Sequence, residues 1–479
     1  MRHVHFIGIA GTGMGSLAGL LKGRGIEVTG SDEGVYPPMS TALAAWGISV
    51  STGFRPENVL ARRPDLVVIG NVIRPGNPEA RAALDAGLPC SSFPDALYDH
   101  AIRGRHPVVI TGTHGKTTTT SLVATLLFEA DRDPSMLVGG IAANFDGSFR
   151  DGGGPEFVVE GDEYDTVFFD KTPKFLHYHA ETAVITSIEF DHADIYRDLA
   201  HVEQAFAALV AGLPAEGTLV AALDDPRVAR VAARSPCRVV GYAVEGTSAV
   251  HLRARSLTPS PEGTRFALHV DGVERLAACV PLPGRHNVAN ALAALGVLEA
   301  RGVPLEQAAG LLPRFRGVRR RQEVRGEMAG VLVMDDFAHH PTAVRETLVA
   351  LRAAHPDRRL VAVFEPRSNT SRRAVFQQEF AEALAGADLA LVAGVPDAPI
   401  YSATGEVSER LSAERLAADL RAAGVEAAAP GDVDAIVAHL LRVCRAGDLV
   451  VTLSNGAFGG IWEKLLAGLA APATGRQGA

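Results

Sequence analysis

The stretch Thr111-Gly112-Thr113-His114-Gly115-Lys116-Thr117-Thr118 sets two glycines, a lysine and several hydroxyls within eight residues. Glycines let backbone N–H groups converge on an anion, and a helix starting there adds the positive end of its dipole. A lysine at the end of such a loop reaches terminal phosphates, and the hydroxyl after it can ligate Mg²⁺. These residue types at this spacing suit the binding of a nucleoside triphosphate and the transfer of its phosphoryl group. The loop is shorter than the general G-x-x-x-x-G-K-[ST] form, since only Thr113 and His114 separate its glycines. His114 either orients phosphate or acts as a spacer.

Carboxylates and a histidine stand at nearby strand ends. Glu160 closes the apolar run Phe157-Val158-Val159, just before Gly161-Asp162-Glu163-Tyr164-Asp165. Asp191-His192 follows the strand-like Ile185-Thr186-Ser187-Ile188. Open parallel sheets bind ligands at the carboxyl ends of their strands. Thr117, Glu160 and His192 are therefore the candidate metal ligands, whereas Asp162 and Glu163 read as a solvated acidic loop. A second glycine-rich segment, Gly8, Gly11, Gly13 and Gly15, follows the first strand, and Asp32 ends the next one. A G-x-G-x-x-G fingerprint counted from Gly11 needs glycine at position 16, and Ser16 stands there. This segment suits a dinucleotide or another nucleotide diphosphate equally well.

The elements that must position these residues alternate between apolar strands and helical spacing. Val4–Ile9, Glu27–Gly30 and Leu66–Ile69 read as strands of a first α/β region. Arg103–Pro107 reads as a linker into a second region, which carries the phosphate loop and the strands Phe157–Glu160 and Ala183–Thr186. An antiparallel patch is expected over 236–282, where turn residues separate short strand-like runs. Arg314–Val318 reads as a second boundary. Val331–Met334, Leu360–Phe364, Leu389–Val392 and Leu449–Thr452 are parallel-strand candidates of a third region. The tail after Gly468 reads as frayed.

Bulk properties exclude several classes. With 479 residues the chain is too long for one core and fits two to four domains. A net charge of −9 argues against a nucleic-acid partner, and Arg319-Arg320-Arg321 is too short to reverse that. Cys90, Cys237, Cys279 and Cys444 lack metal-ligand spacing and read as reduced structural thiols of a cytoplasmic protein. No stretch approaches about 18 uninterrupted apolar residues, so no membrane association is expected.

In order along the chain stand Gly112–Thr117, Glu160–Glu163, Asp191-His192, Gly284-Arg285-His286-Asn287-Val288-Ala289-Asn290 and Asp335-Asp336-Phe337-Ala338-His339-His340-Pro341-Thr342. This ordered set resembles the Mur ligase family over essentially the whole chain. The resemblance implies an α/β fold in three domains. They are an N-terminal Rossmann-like UDP-sugar-binding domain (1–104), a central P-loop ATP-binding domain with the antiparallel patch (105–320), and a C-terminal Rossmann-like domain for the incoming amino acid or peptide (321–479). It implies ATP and Mg²⁺ as cofactors and an ATP-dependent amide ligase, monomeric or weakly dimeric.

Gly-Thr-His-Gly-Lys-Thr-Thr and Asp-Asp-Phe-Ala-His-His-Pro-Thr resemble the branch that accepts UDP-N-acetylmuramate. Gly30–Thr41, Asp162–Lys171 and Phe364–Thr370 resemble the branch member that adds the murein tripeptide L-alanyl-γ-D-glutamyl-meso-diaminopimelate in peptidoglycan recycling; the alternative adds L-alanine in biosynthesis. Carried over residue by residue, the resemblance puts Gly112, Thr113, His114, Gly115, Lys116, Thr117, Thr118, Asn290, Arg321 and Asp336 at ATP. It puts Gly11, Thr12, Gly13, Ser31 and Asp32 at the UDP-sugar, and Arg367, Ser368, Asn369, Ser454 and Asn455 at the peptide. Lys116, His192 and His339 would be catalytic, with Thr117, Glu160 and His192 on metal. Several relatives bridge two Mg²⁺ ions with a carbamylated lysine shortly after the Asp-His pair. No lysine occurs here between Lys174 and Lys464, so a second ion would rely on His192, Glu160 and phosphate oxygens.

Overall fold

A computed structural model describes residues 1–36, 39–191, 195–402 and 405–471. Most of its strands divide among three large sheets that follow one another along the chain, and Asp165–Val167 with Asp170–Pro173 and Tyr401–Ser402 with Gly405–Glu406 form two small ribbons. The first has five parallel strands in the order Ser49–Thr52, Glu27–Asp32, His3–Ile7, Leu66–Ile69, Cys90–Ser92. Val4, Phe6 and Ile7 are fully buried because helices cover both faces, which is why this strand reads as an apolar run rather than an alternation. The helix Thr12–Gly23 follows at once and buries Met14, Leu17, Leu20 and Leu21.

The second sheet has ten strands. Its parallel centre runs from Leu252–Ser260 through Arg238–Val244, Thr218–Ala222, Thr182–Ile185, His106–Thr111 and Glu156–Glu160 to Ser135–Ala142. Antiparallel strands close both ends: Gly263–Val270 and Val273–Val280 at one, Gly147–Arg150 at the other. The patch expected over 236–282 is thus an extension of the phosphate-loop sheet, and Arg238–Val244 within it is parallel. Helices Lys116–Glu129 and Arg285–Ala300 pack together over this sheet.

The third sheet orders Glu323–Met328, Val331–Asp336, Asp448–Leu453, Arg359–Phe364, Leu389–Ala393 and Glu426–Gly431. All neighbours are parallel except the first pair. Glu323–Met328 was not expected, since its charged residues carry no strand signal at an exposed edge.

Three boundaries differ from expectation. The strand His106–Thr111 begins inside the supposed linker Arg103–Pro107. The strand before Asp191 stops at Ile185, so a loop carries Asp191. The helix Ile461–Ala470 runs through Gly468, and residues 472–479 of the tail lie outside the described residues. Among the described residues no helix is long and apolar enough to cross a membrane.

Candidate active site

Three segments of the second sheet converge at its carboxyl edge. The strand His106–Thr111 delivers the phosphate loop, and the helix Lys116–Glu129 starts directly behind it, capped by Gly115 at φ +80°. Gly112 stands at φ +124°, and a β-carbon there would land on Thr186 Oγ1. One at Gly115 would land on Asn290 Oδ1. Both glycines are therefore required by conformation and by space. Such a helix leaves its first amides without intrahelical partners, the usual origin of an anion site. The amides of Thr113 and His114 are engaged, donating to Ser187 O and Ser187 Oγ, each at 3.0 Å.

Lys116 Nζ donates to Glu163 Oε2 at 2.7 Å and to Gly112 O at 2.8 Å. Burial opposes its charge, but Glu163, Asp162 and Glu160 outweigh burial and raise its pKa. Glu163 is 3% exposed. The reading of Asp162 and Glu163 as a solvated acidic loop is corrected: Glu163 pairs with Lys116, and Asp162 with Lys174 at 3.2 Å. The loop turns inward because each carboxylate meets a cation there. Thr117 Oγ1 donates to Glu160 Oε1 at 3.0 Å, and Gly139 N donates to Glu160 Oε2 at 2.8 Å. Burial raises the Glu160 pKa, against the pull of the Gly139 amide and Lys116. Two hard oxygen donors side by side, one a carboxylate disfavoured by desolvation, fit Mg²⁺. His192 lies outside the described residues.

Other predicted residues meet this centre from farther along the chain. Asn290 Oδ1 accepts from Thr119 Oγ1 at 3.1 Å, which ties the Arg285–Ala300 helix to the loop. Arg321 Nη2 reaches Thr117 Oγ1 at 3.4 Å, and its guanidinium lies 4.6 Å from the Phe337 ring centroid. Burial lowers its pKa, with Asp336 opposing. Asp336 takes the amides of Gln322 and Ala338, each at 2.8 Å, so it stitches the chain around Arg321. Its pKa is raised by burial, against Arg321. His339 Nδ1 is 2.9 Å from Phe337 O.

Glu189 and His340 went unnoticed as site residues in the sequence. Glu189 Oε2 accepts from His114 Nε2 at 3.1 Å and from Thr342 Oγ1 at 2.8 Å, joining the phosphate loop to Pro341–Ala354, the first helix of the third unit. Burial opposes the Glu189 carboxylate, but His114, Thr342 and His340 win and hold its pKa at about 2. Burial lowers that of His340 to about 4. No local pattern could have announced this cluster, whose members lie up to 226 positions apart (340 − 114).

The other predicted clusters assemble in part. Helix Thr12–Gly23 is capped by Gly11, and Gly13 faces Phe93. Asp32 Oδ2 accepts the Ala10 amide at 2.9 Å, bracing the first glycine loop. Ser31 is fully buried and gives its hydroxyl to Glu79 at 2.8 Å, so its side chain braces the strand rather than lining the surface. Glu79, also unforeseen, takes His5 Nε2 at 2.7 Å and Asn58 Nδ2 at 2.7 Å.

In the third sheet the Arg367 guanidinium covers Gly456, where any β-carbon would collide with it. Ser454 Oγ donates to Glu365. Ser368 bonds Ser371 Oγ at 2.9 Å, and Asn369 Oδ1 accepts from Arg372 at 3.3 Å. Asn455 Oδ1 is buried without a partner. The two loops expected at the peptide thus meet each other.

A phosphate loop on a mixed sheet, flanked by two Rossmann-like sheets, defines a nucleotide-dependent three-sheet enzyme, and comparison with known proteins supplies the class. Residues 3–105 match "Mur ligase family, catalytic domain", 110–298 match "Mur ligase middle domain", and 320–456 match "Mur ligase, glutamate ligase domain". The chain belongs to the Mur ligase family, whose members are ATP-dependent ligases. It is 38% identical to the UDP-N-acetylmuramate–L-alanyl-γ-D-glutamyl-meso-2,6-diaminoheptandioate ligase of Escherichia coli (strain K12), over 99% of this chain and 100% of that protein. It is 39% identical to the UDP-N-acetylmuramate–L-alanine ligase of Salinibacter ruber, over 85% of this chain and 83% of that one. Among solved structures, a murein peptide ligase from Psychrobacter arcticus covers 98% of this chain and 99% of its own, with 33% identity and a TM-score of 0.72.

Proposed function

We propose that this enzyme joins UDP-N-acetylmuramate to the tripeptide L-alanyl-γ-D-glutamyl-meso-diaminopimelate in the cytoplasm, in peptidoglycan recycling, at the expense of ATP. The observation that carries the chemistry is the set Lys116–Glu163 and Thr117–Glu160 at the mouth of the glycine loop. The full-length likeness to the Escherichia coli tripeptide ligase supports the substrate.

A carboxylate is a poor electrophile, so amide formation needs activation. The lactyl carboxylate would attack the γ-phosphorus, giving an acyl phosphate and ADP. The peptide amine then adds to the acyl carbon, and the tetrahedral adduct expels phosphate as the nitrogen loses its proton. Lys116 exchanges Glu163 for phosphate oxygens and offsets charge on the transferred group. Gly112 to Thr118 cradle the phosphates. Thr117 and Glu160, with His192, would hold Mg²⁺, which supplies charge neutralisation when bound. Arg321 reaches toward the phosphates beside Thr117, Asp336 holds the segment that presents it, and Asn290 contacts the adenine. Closure of the third unit over the loop would exclude water from the acyl phosphate. His339 places acceptor or amine. Arg367 pairs with a peptide carboxylate through its planar fork, beside Ser368, Asn369, Ser454 and Asn455. The glycines at 11 and 13, with Thr12 and Asp32, approach the UDP diphosphate. We assign these roles to domains divided near 104 and 320, in a monomer or weak dimer.

A second reading, ligation of free L-alanine, is favoured by the 39% identity to the Salinibacter ruber ligase. One assay separates them. With ATP, Mg²⁺ and UDP-N-acetylmuramate, the enzyme is given either the tripeptide or L-alanine, and the product is identified by mass. Preference for the tripeptide is expected; preference for L-alanine would transfer the assignment to the biosynthetic reaction.

A further inference from the structure

Beside the phosphate loop lies a trio that the ligation chemistry does not combine. His114 comes from the loop, Glu189 from the segment after the strand Thr182–Ile185, and His340 from the cap of the helix Pro341–Ala354. One donor atom from each lies within 4.8 Å of the other two, and among the described residues this is the one such trio of His, Cys, Asp or Glu. His114 Nε2 is 3.1 Å and His340 Nδ1 is 3.8 Å from the same atom, Glu189 Oε2. The two imidazole rings lie 5.0 Å apart. A tetrahedral ion at about 2.1 Å from each donor sets donors about 3.4 Å apart. Two edges of the triangle already lie close to that.

The donor chemistry selects the ion. Two imidazoles and one carboxylate suit borderline transition ions, whereas Mg²⁺ prefers oxygen alone. Mg²⁺ has its own oxygen pair in Thr117 and Glu160. His340 is buried against the Phe376 ring at 5.6 Å, so its place is fixed by packing, but its polar atoms are poorly matched. Its Nδ1 takes the Thr342 amide only at 3.4 Å, and its Nε2 is buried without a partner. An ion on Nδ1 would displace only that long hydrogen bond. Glu189 would have to release or share the Thr342 hydroxyl at 2.8 Å.

We propose that His114, Glu189 and His340 form a site for a divalent transition ion of the Zn²⁺ or Co²⁺ class, separate from the Mg²⁺ position, that fastens the phosphate loop to the first helix of the third unit. The consequence is mechanical. His114 belongs to the loop that receives ATP, and His340 belongs to the unit that must open to exchange substrates. An ion held between them stabilises the closed arrangement and slows turnover.

The test uses metal-stripped full-length enzyme, titrated calorimetrically with Zn²⁺ and by visible absorption with Co²⁺. The expected result is one ion bound by the parent and, with unchanged affinity, by Glu160→Gln. Glu189→Gln and His340→Ala should each weaken binding at least tenfold and remove the rise in thermal midpoint that Zn²⁺ gives the parent. Glu189→Gln keeps shape and volume, so it reads the site even if His340→Ala folds poorly. No ion bound by the parent, unchanged affinity in Glu189→Gln, or loss in Glu160→Gln would each overturn the proposal. Those outcomes leave the dependence of ligation on Mg²⁺ and Lys116 intact, so the two readings fail separately.

Discussion

The chain builds strand, glycine loop and helix twice, and the two copies differ in everything around the glycines. At the first, Gly11 caps the helix at φ −68°, Asp32 braces the loop through the Ala10 amide, and no lysine enters. At the second, Gly112 and Gly115 take positive φ, Lys116 sits among three carboxylates, and Arg321 arrives from the turn that leads into the third sheet. Both can receive a diphosphate at a helix N-terminus. Only the second has the movable cation and the hard oxygen pair that phosphoryl transfer needs. On the proposed function, the shared geometry would serve binding, and the charges added to one copy would serve chemistry. The comparison makes its strongest demand on Lys116. Lys116→Ala should lower kcat/KM by at least about a thousandfold, about 4 kcal/mol, while UDP-N-acetylmuramate binding measured by calorimetry stays within about threefold. Retained turnover would erase the distinction between the loops.

A histidine accompanies each of the two loop-bearing units, His5 buried and His286 partly exposed, and these differ too. His5 has both ring nitrogens partnered, by Thr29 and Glu79, each within 2.8 Å. His286, in the first turn of the Arg285–Ala300 helix, has Nδ1 buried without a partner, and burial holds its pKa at about 4. The unfolded imidazole protonates near 6.5. Above 6.5 the ring is neutral in both states. Between 6.5 and 4 only the unfolded chain takes the proton, so stability falls as pH falls, by up to about 3 kcal/mol in total, and then levels. Thermal midpoints measured from pH 7 to 4 should show this loss added to those of His106 and His340, which burial also lowers to about 4, and His286→Gln should reduce the slope without abolishing it. An unchanged slope in that variant would place the acid sensitivity elsewhere.

The glycines give a matched pair. Gly112→Ala forces a side chain into φ +124° and onto Thr186, which should cost about 2–3 kcal/mol and weaken ATP binding. Gly11→Ala meets nothing nearer than Gly8 O at 3.9 Å, so stability should stay within about 0.5 kcal/mol. A loss of UDP-sugar affinity in the folded Gly11→Ala protein would then report backbone approach to the diphosphate directly.

How much of this was legible before the structure depended on range. The parallel strands announced themselves because helices bury them on both faces and leave unbroken apolar runs such as Val108-Val109-Ile110. The phosphate loop was readable because its residues are contiguous. Glu160 was readable because a strand aims it there. Glu163 was misread, because an acidic run looks solvated until a cation from 47 positions away is known to meet it. The edge strand Glu323–Met328 had no local pattern because its charged residues hide a hairpin with Val331–Asp336, and the trio His114, Glu189 and His340 had none because only the packing of one unit against another assembles it.

Ser16 offers the smallest and most pointed test. It occupies the position where a dinucleotide fingerprint needs glycine, and the structure gives that departure a use. Its hydroxyl donates to Thr12 O at 2.6 Å and pairs with Ser148 Oγ at 2.7 Å, on the last strand of the central sheet. The first unit's helix is thereby fastened to the second unit at the place where a closer helix–strand packing would otherwise occur. Ser16→Gly restores the fingerprint and removes the bond. If the motif alone decided ligand choice, the variant would gain NADH binding, seen as enhanced nicotinamide fluorescence. The expected outcome is none, with stability lower by about 1–2 kcal/mol from the lost hydrogen bond and the helical glycine. Ser16→Ala should lose only about 1 kcal/mol. A fluorescence gain in Ser16→Gly would mean that the first loop had been a dinucleotide site all along, with one hydroxyl keeping it shut.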